Sequence, residues 1–277
     1  MATSAVIGWR ILFLLLACTM VSTLAYTLVT DGSPFRKELL SRLMVAVLVD
    51  FYLNVTVIAA WVCYKESNWI AAAIWIVFLV CLGSIATCAY ILWQLWQLSS
   101  QESFEDIMYS VLIRDTNKFG SVSLIHTQNR NGVQQPRKHS NIMIARIVFG
   151  AMSCLMVVTL AYLFSDGSPF NKDLYTPWLV ATLIDFYING TAISVWMFYK
   201  EESWLTAFIW IVLFIIFGSA SSCSFIVKEL FKLNSDDPAY LVLFKNSNRK
   251  LGDNKHKNKN KIVIKRSERR YERTSSS

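Results

Sequence analysis

The chain has 277 residues, of which 54% are hydrophobic, and its mean hydropathy is +0.39. A soluble globular domain needs more polar side chains to cover its surface, so this composition predicts an all-α integral membrane protein. The formal net charge is +8, and because residues 245–277 hold 12 Lys or Arg against three acids, the basic character belongs to the C-terminal tail.

Six apolar stretches are each about 20 residues or longer, the length of helix that crosses a hydrocarbon core about 30 Å thick. A bilayer core has no water to pair with free backbone amides, so each stretch is expected to form a transmembrane helix. The six predicted spans cover residues 8–29, 41–64, 69–96, 144–164, 177–199 and 204–227.

Nearly the whole sequence is a duplication. "DGSPF" at 31–35 returns at 166–170, "YKE" at 64–66 returns at 199–201, and "GS" at 83–84 returns at 218–219, each 135 residues later. The predicted organisation is a first three-helix repeat, a polar connecting loop, a second three-helix repeat and a basic disordered tail, over residues 8–120, 121–143, 144–252 and 253–277.

The number of spans in each repeat sets the expected topology. Three crossings return the chain on the opposite side of the membrane, so the second repeat is expected to enter inverted, as in many secondary transporters. Six crossings then leave both termini on one side, and the basic tail makes that side cytoplasmic. The predicted location is a multi-pass protein of an endomembrane or the plasma membrane.

The candidate site lies on the second span of each repeat. Asp50, Asn54 and Trp61 are four and eleven residues apart, which places them on one stripe of a helix. Asp185, Asn189 and Trp196 repeat the same spacing. A charged side chain at mid-membrane costs about 2.5–3.5 kcal/mol on insertion scales, so both acids are expected to face the interior of the bundle.

Two interpretations of the acids stay open at this stage. In the first, the two Asp–Asn pairs meet at the pseudo-symmetry axis and bind a proton, a cation or a small polar solute. In the second, each Asp bonds to its own Asn and to a neighbouring helix and holds the bundle together. The small residues of Gly83–Ser84 and Gly218–Ser219 are interpreted as points of close helix contact.

The sequence contains few signals of other kinds of functional site. All six cysteines fall within predicted spans, and no Cys/His cluster has the spacing of metal ligands, so neither a metal nor another cofactor is expected. Phosphate-binding loops, nucleophile elbows and HExxH are missing from the sequence, which disfavours a soluble enzyme. Membrane lipid is the expected partner; the tail is expected to be solvated or to attract anionic headgroups, and nucleic-acid binding is not expected.

The motifs DGSPF, DFY[LI]NxT and YKE, each present twice, resemble those of the plant membrane proteins grouped as "domain of unknown function 1475". The resemblance covers residues 10–252 and implies a multi-span membrane fold. It implies no activity and no catalytic residues.

Three functions are compatible with these residues. The preferred one is a transporter or channel-like protein for a proton, cation or small polar solute, using the mid-membrane Asp and Asn side chains. The first alternative is a non-catalytic membrane scaffold or interaction protein. The second alternative is an intramembrane lipid or isoprenoid enzyme with a protonated Asp as general acid. It ranks last because the sequence offers no second catalytic group.

Overall fold

The structure is a computed structural model that describes residues 3–36, 39–98, 104–112, 139–165, 176–233 and 242–243. These residues are helical apart from turns and short connections, and they contain no β-strand. The predicted connecting loop lies almost entirely outside the described residues, and the basic tail lies wholly outside them. The helices are α1 (Thr3–Asp31), α2 (Arg42–Lys65), α3 (Trp69–Leu82), α4 (Ser84–Trp96), α5 (Phe104–Leu112), α6 (His139–Ser165), α7 (Pro177–Lys200), α8 (Trp204–Phe217) and α9 (Ser219–Phe231).

Four helices are long and apolar enough to cross a membrane, namely α1, α2, α6 and α7. They correspond to the first, second, fourth and fifth predicted spans. Ser41 caps α2 by accepting from the backbone N–H of Met44, and Thr176 caps α7 in the same way at Leu179, directly before Pro177. Ser or Thr at the cap and Pro in the first turn are typical helix starts.

The outer faces of α1 and α6 remain apolar and exposed. Leu15 of α1 is 59% exposed, and Ile147 and Val158 of α6 are 68% and 65% exposed. A soluble protein rarely leaves apolar patches of this extent in water. These faces therefore fit contact with lipid.

The third predicted span is not one helix but a helical hairpin, in which α3 and α4 meet at Gly83. The Trp75 ring of α3 packs against the Tyr90 ring of α4, with centroids 5.0 Å apart. The Tyr90 hydroxyl donates to Glu66 Oε1 at 2.9 Å, and Glu66 directly follows α2. The far end of α4 therefore returns to the level at which α3 begins.

The sixth predicted span folds back in the same way, with α8 and α9 meeting at Gly218. Trp210 of α8 packs on Phe225 of α9, with centroids 5.3 Å apart. Lys228 near the end of α9 pairs with Glu201, directly after α7. A helix of 14 residues such as α3 or α8 is about 21 Å long, so each hairpin arm is shorter than a bilayer core.

The two halves of the chain run in the same direction. Trp178 at the start of α7 donates through Nε1 to Gly32 O, directly after α1, at 3.2 Å. The Arg42 guanidinium at the start of α2 lies 5.7 Å from the ring centroid of Tyr162, near the end of α6. The starts of α2 and α7 therefore lie at one end of the molecule, which we name the DGSPF end. The bases of both hairpins lie at the other end, named the base end.

The structure therefore does not confirm the expectations of an inverted repeat and of six straight crossings. The physical reason is the turn at Gly83 and at Gly218. Because each hairpin returns to the base end, each half contains two full-length helices, an even number. The described helices of each half therefore begin and end at the base end, and the second half has the same orientation as the first.

Candidate functional site

Each hairpin tip is formed by a single glycine. Gly83 has φ of +54° and Gly218 has φ of +59°, in the left-handed region that residues with a side chain rarely adopt. The N–H of each glycine still completes the preceding helix, donating to Leu79 O at 3.1 Å and to Phe214 O at 2.8 Å. The next residues, Ser84 and Ser219, begin new helices and make no side-chain cap of their own.

A carboxylate from the other half caps each new helix. The backbone N–H of Ser84 donates to Asp185 Oδ1 at 2.6 Å, and that of Ser219 donates to Asp50 Oδ1 at 2.6 Å. A helix N-terminus carries unpaired N–H groups and a partial positive charge, so it stabilises a carboxylate. The two mid-helix acids thus have specific partners, each in the opposite half of the chain.

The carboxylates approach the tips so closely that no side chain fits there. A Cβ atom placed on Gly83 would lie 2.2 Å from Asp185 Oδ2, and one placed on Gly218 would lie 2.0 Å from Asp50 Oδ2. The positive φ and the lack of room for a Cβ atom therefore both require glycine at each hairpin tip.

The asparagines add a second contact one turn further along. Thr87 Oγ1 donates to Asn189 Oδ1 at 2.6 Å, and Ser222 Oγ donates to Asn54 Oδ1 at 3.1 Å. Both asparagine residues are fully buried. The Asp and Asn of one long helix therefore hold two successive points of the opposite half's hairpin, an arrangement that we name the cross-clasp.

The cross-clasp leaves one buried polar atom unpaired in each half among the described residues. These are the Nδ2 atoms of Asn54 and Asn189. Buried polar atoms are nearly always hydrogen-bonded to protein or to water. Each site therefore retains an amide donor, Asn54 Nδ2 or Asn189 Nδ2, from which no described residue accepts. Among the described residues, no three His, Cys, Asp or Glu side chains lie close enough to hold a metal ion.

The structure separates the tryptophans from the acids of the candidate site. Trp61 and Trp196 line an apolar cavity of about 320 Å³ between the two halves, and neither acid lines it. Trp61 Nε1 donates to Leu112 O at 3.2 Å. Each Asp–Asn pair contacts a different hairpin. These contacts do not bring both acids into a single polar site, and that shared site stays a prediction.

Sequence reasoning missed the partners of the acids, which are Ser84, Thr87, Ser219 and Ser222. The available signal was the Gly-Ser pair in the middle of the third apolar run of each repeat, where a glycine can end one helix and begin another. Arginines near the starts of α1 and α6 were also missed as contacts. Arg10 Nη2 donates to Leu95 O and Leu98 O at 2.9 and 3.1 Å, and Arg146 Nη2 donates to Leu230 O and Leu233 O at 3.0 and 2.9 Å.

Comparison with known families bears on the repeated motifs that surround this site. Residues 1–119 and 122–250 each match the model of the family described as "Protein of unknown function (DUF1475)". The chain belongs to this family. The family resemblance predicted from DGSPF, DFY[LI]NxT and YKE is confirmed. In this DUF1475 chain, each matched segment supplies one Asp–Asn pair and one hairpin to the cross-clasp. No curated protein and no solved structure matched the chain.

Proposed function

We propose that α1, α2, α6 and α7 cross a membrane and that the two hairpins are re-entrant, entering from the base end. The exposed apolar faces of the long helices and the short hairpin arms support this topology. Irregular backbone at membrane depth is tolerated where protein buries it, and each hairpin tip is covered by an Asp of the other half. In this proposal the chain is a duplicated unit with both termini at the base end, on the cytoplasmic side because the tail is basic.

The proposed activity is transport of a proton, a cation or a small polar solute, coupled to movement of the hairpins. The observation that carries it is the contact of Asp50 and Asp185 with the N-termini of the opposite hairpins. Discontinuous helices form the ion and substrate sites of many transporters. A proton or cation bound to the carboxylate reduces its attraction to the positive helix end, so ion occupancy and hairpin position are coupled.

Proton movement in proteoliposomes tests this proposal. We expect wild-type protein to dissipate an imposed pH gradient, measured with an enclosed pH-sensitive dye, and Asp50→Asn and Asp185→Asn to slow it at least tenfold. Asn keeps the shape of the cap but does not bind a proton reversibly. Asp31→Asn is the matched control, since Asp31 pairs with Arg36 at the surface. Equal rates for all four proteins would contradict proton coupling.

A structural scaffold is the second candidate, because the cross-clasp already gives each acid a protein partner. In that case the Asp→Asn variants lower the amount of folded protein in proportion to any loss of function. The ratio of proton flux to folded protein, measured on the same vesicles, separates the two candidates. The proposed lipid partner of the basic tail, anionic headgroups, is compatible with both.

A further inference from the structure

The apolar cavity between the halves has the size and walls of a ligand site. Its volume of about 320 Å³ lies within the usual range of small-molecule pockets, which begins near 300 Å³. The walls come from both halves, including Ile58 and Ile193, which are 135 residues apart and each 4% exposed. Met108 and Val111 of α5 form a further part of the wall.

The residues that form the cavity walls favour a ligand with an uncharged hydrocarbon chain. None of the described residues that line the cavity carries a charged side chain, and nearly all are aliphatic or aromatic. Along α4 the lining runs from Thr87 through Ile91 to Leu95, a length of about 12 Å. By proportion with an apolar cavity of about 150 Å³ that holds benzene, this volume accommodates about a dozen carbon atoms.

One polar atom in the wall has no partner among the described residues. Trp196 lines the cavity, is 8% exposed, and its Nε1–H donates to no described acceptor. The equivalent Trp61 donates to a backbone carbonyl. A buried indole N–H usually finds an acceptor, and a ligand oxygen can supply it.

We propose that this cavity binds a neutral single-chain amphiphile, a hydrocarbon of about a dozen carbons with one hydroxyl or carbonyl oxygen that accepts from Trp196 Nε1. Apolar burial in the cavity supplies most of the affinity, and the indole hydrogen bond orients the ligand. The proposal does not depend on ion transport, because the acids of the cross-clasp do not line the cavity. Both halves and α5 contribute walls to this space, and its volume holds about a dozen carbon atoms, fewer than the two chains of a phospholipid contain, so a single short chain is favoured.

Photolabelling of the full chain in detergent tests this site. The probe is dodecan-1-ol with a mid-chain diazirine, and peptide mapping by mass spectrometry locates the label. We expect label on cavity residues such as Met108 and Ile193, and we expect unmodified dodecan-1-ol to compete it away. Label that is confined to the outer faces of α1 and α6, and that dodecan-1-ol does not reduce, would overturn the proposal.

Matched variants separate the cavity from the rest of the apolar surface. Ala192→Phe and Ala145→Phe add bulk to two walls of the cavity and are expected to reduce the competable label at least tenfold. Ala151→Phe adds the same bulk on the exposed face of α6 and should leave it unchanged. Size-exclusion profiles verify that each variant is folded. Equal labelling of all three variants would refute the assignment.

The hydrogen bond is tested separately with Trp196→Phe, which keeps an aromatic wall but removes the donor. We expect the half-saturating concentration of dodecan-1-ol to rise about fivefold and that of dodecane to stay the same. An equal shift for both compounds would contradict the proposed role of the indole. One phospholipid retained per chain, together with no competable label, would assign the cavity to a bilayer lipid and overturn the proposal.

Discussion

At the scale of single residues, the cross-clasp explains why two acids lie within apolar helices. Asp50 and Asp185 each accept from a backbone N–H at 2.6 Å, at the positive end of a helix that has no other cap. The sequence was sufficient to predict that these acids and their asparagines face inward on one stripe. It was not sufficient to predict the partners, because these lie 101 and 169 residues away in the chain.

The first residue-scale prediction concerns the cap itself. Asp185→Ala removes the acceptor of the Ser84 N–H and is expected to lower the free energy of unfolding by about 1–3 kcal/mol. Asp185→Asn keeps an acceptor, and Asn is as good a cap as Asp, so its loss should stay below about 1 kcal/mol. Thermal unfolding in detergent measures both. Asp31→Ala, which breaks a surface ion pair, is the control; if it matches Asp185→Ala, the cap is not a specific contact.

The second residue-scale prediction concerns the hairpin tips. Gly83→Ala places a Cβ atom against the Asp185 carboxylate at a residue with positive φ. We therefore expect the free energy of unfolding to fall by about 1–3 kcal/mol or more. Gly150→Ala in α6 meets nothing within 4 Å and should be neutral or stabilising, since Ala is favoured over Gly within a helix. Chemical denaturation in the same detergent compares them. Similar values for both variants would mean that the tip geometry is different.

At the scale of elements, the long helices were predictable and the hairpins were not. The predicted spans 41–64 and 177–199 agree closely with α2 and α7, because a continuous apolar run of about 24 residues fixes a helix of that length. The run 69–96 has the same apolar character but reverses direction at Gly83. Hydropathy identifies apolar residues but does not show where a helix reverses its direction, so the 28-residue run predicts a single crossing. The contacts that close the hairpin, such as Trp75 with Tyr90, lie on either side of the glycine.

The element-scale prediction concerns the way in which the hairpins are held at their bases. Arg146 donates to two carbonyls at the end of α9, where unpaired acceptors and a partial negative charge favour a cation. Arg146→Met keeps an apolar stem but removes both bonds, so we expect the unfolding free energy to fall by about 2 kcal/mol. Thermal unfolding in detergent gives the value. Arg36→Met, at an exposed ion pair, should change it by less than about 1 kcal/mol, and an effect as large as that of Arg146→Met would contradict this role.

At the scale of the whole molecule, two parallel halves are locked together by exchange of contacts. α2 of the first half binds the hairpin of the second half, and α7 of the second half binds the hairpin of the first. Neither hairpin tip is capped within its own half, so each half completes the other. The sequence-based expectation of inversion follows from counting three crossings per repeat, whereas the reversal in the third run of each repeat leaves two full-length helices in each half.

Cysteine accessibility in intact membranes tests this arrangement most directly. Single cysteines replace Ser33 and Ser165 at the DGSPF end and Gln97 and Ser203 at the base end, in a background without the four exposed native cysteines. An impermeant thiol reagent is expected to label Ser33→Cys and Ser165→Cys from one side of the membrane, and Gln97→Cys and Ser203→Cys from the other. Labelling of Ser33→Cys and Ser165→Cys from opposite sides would contradict the parallel arrangement and, with it, the cross-clasp.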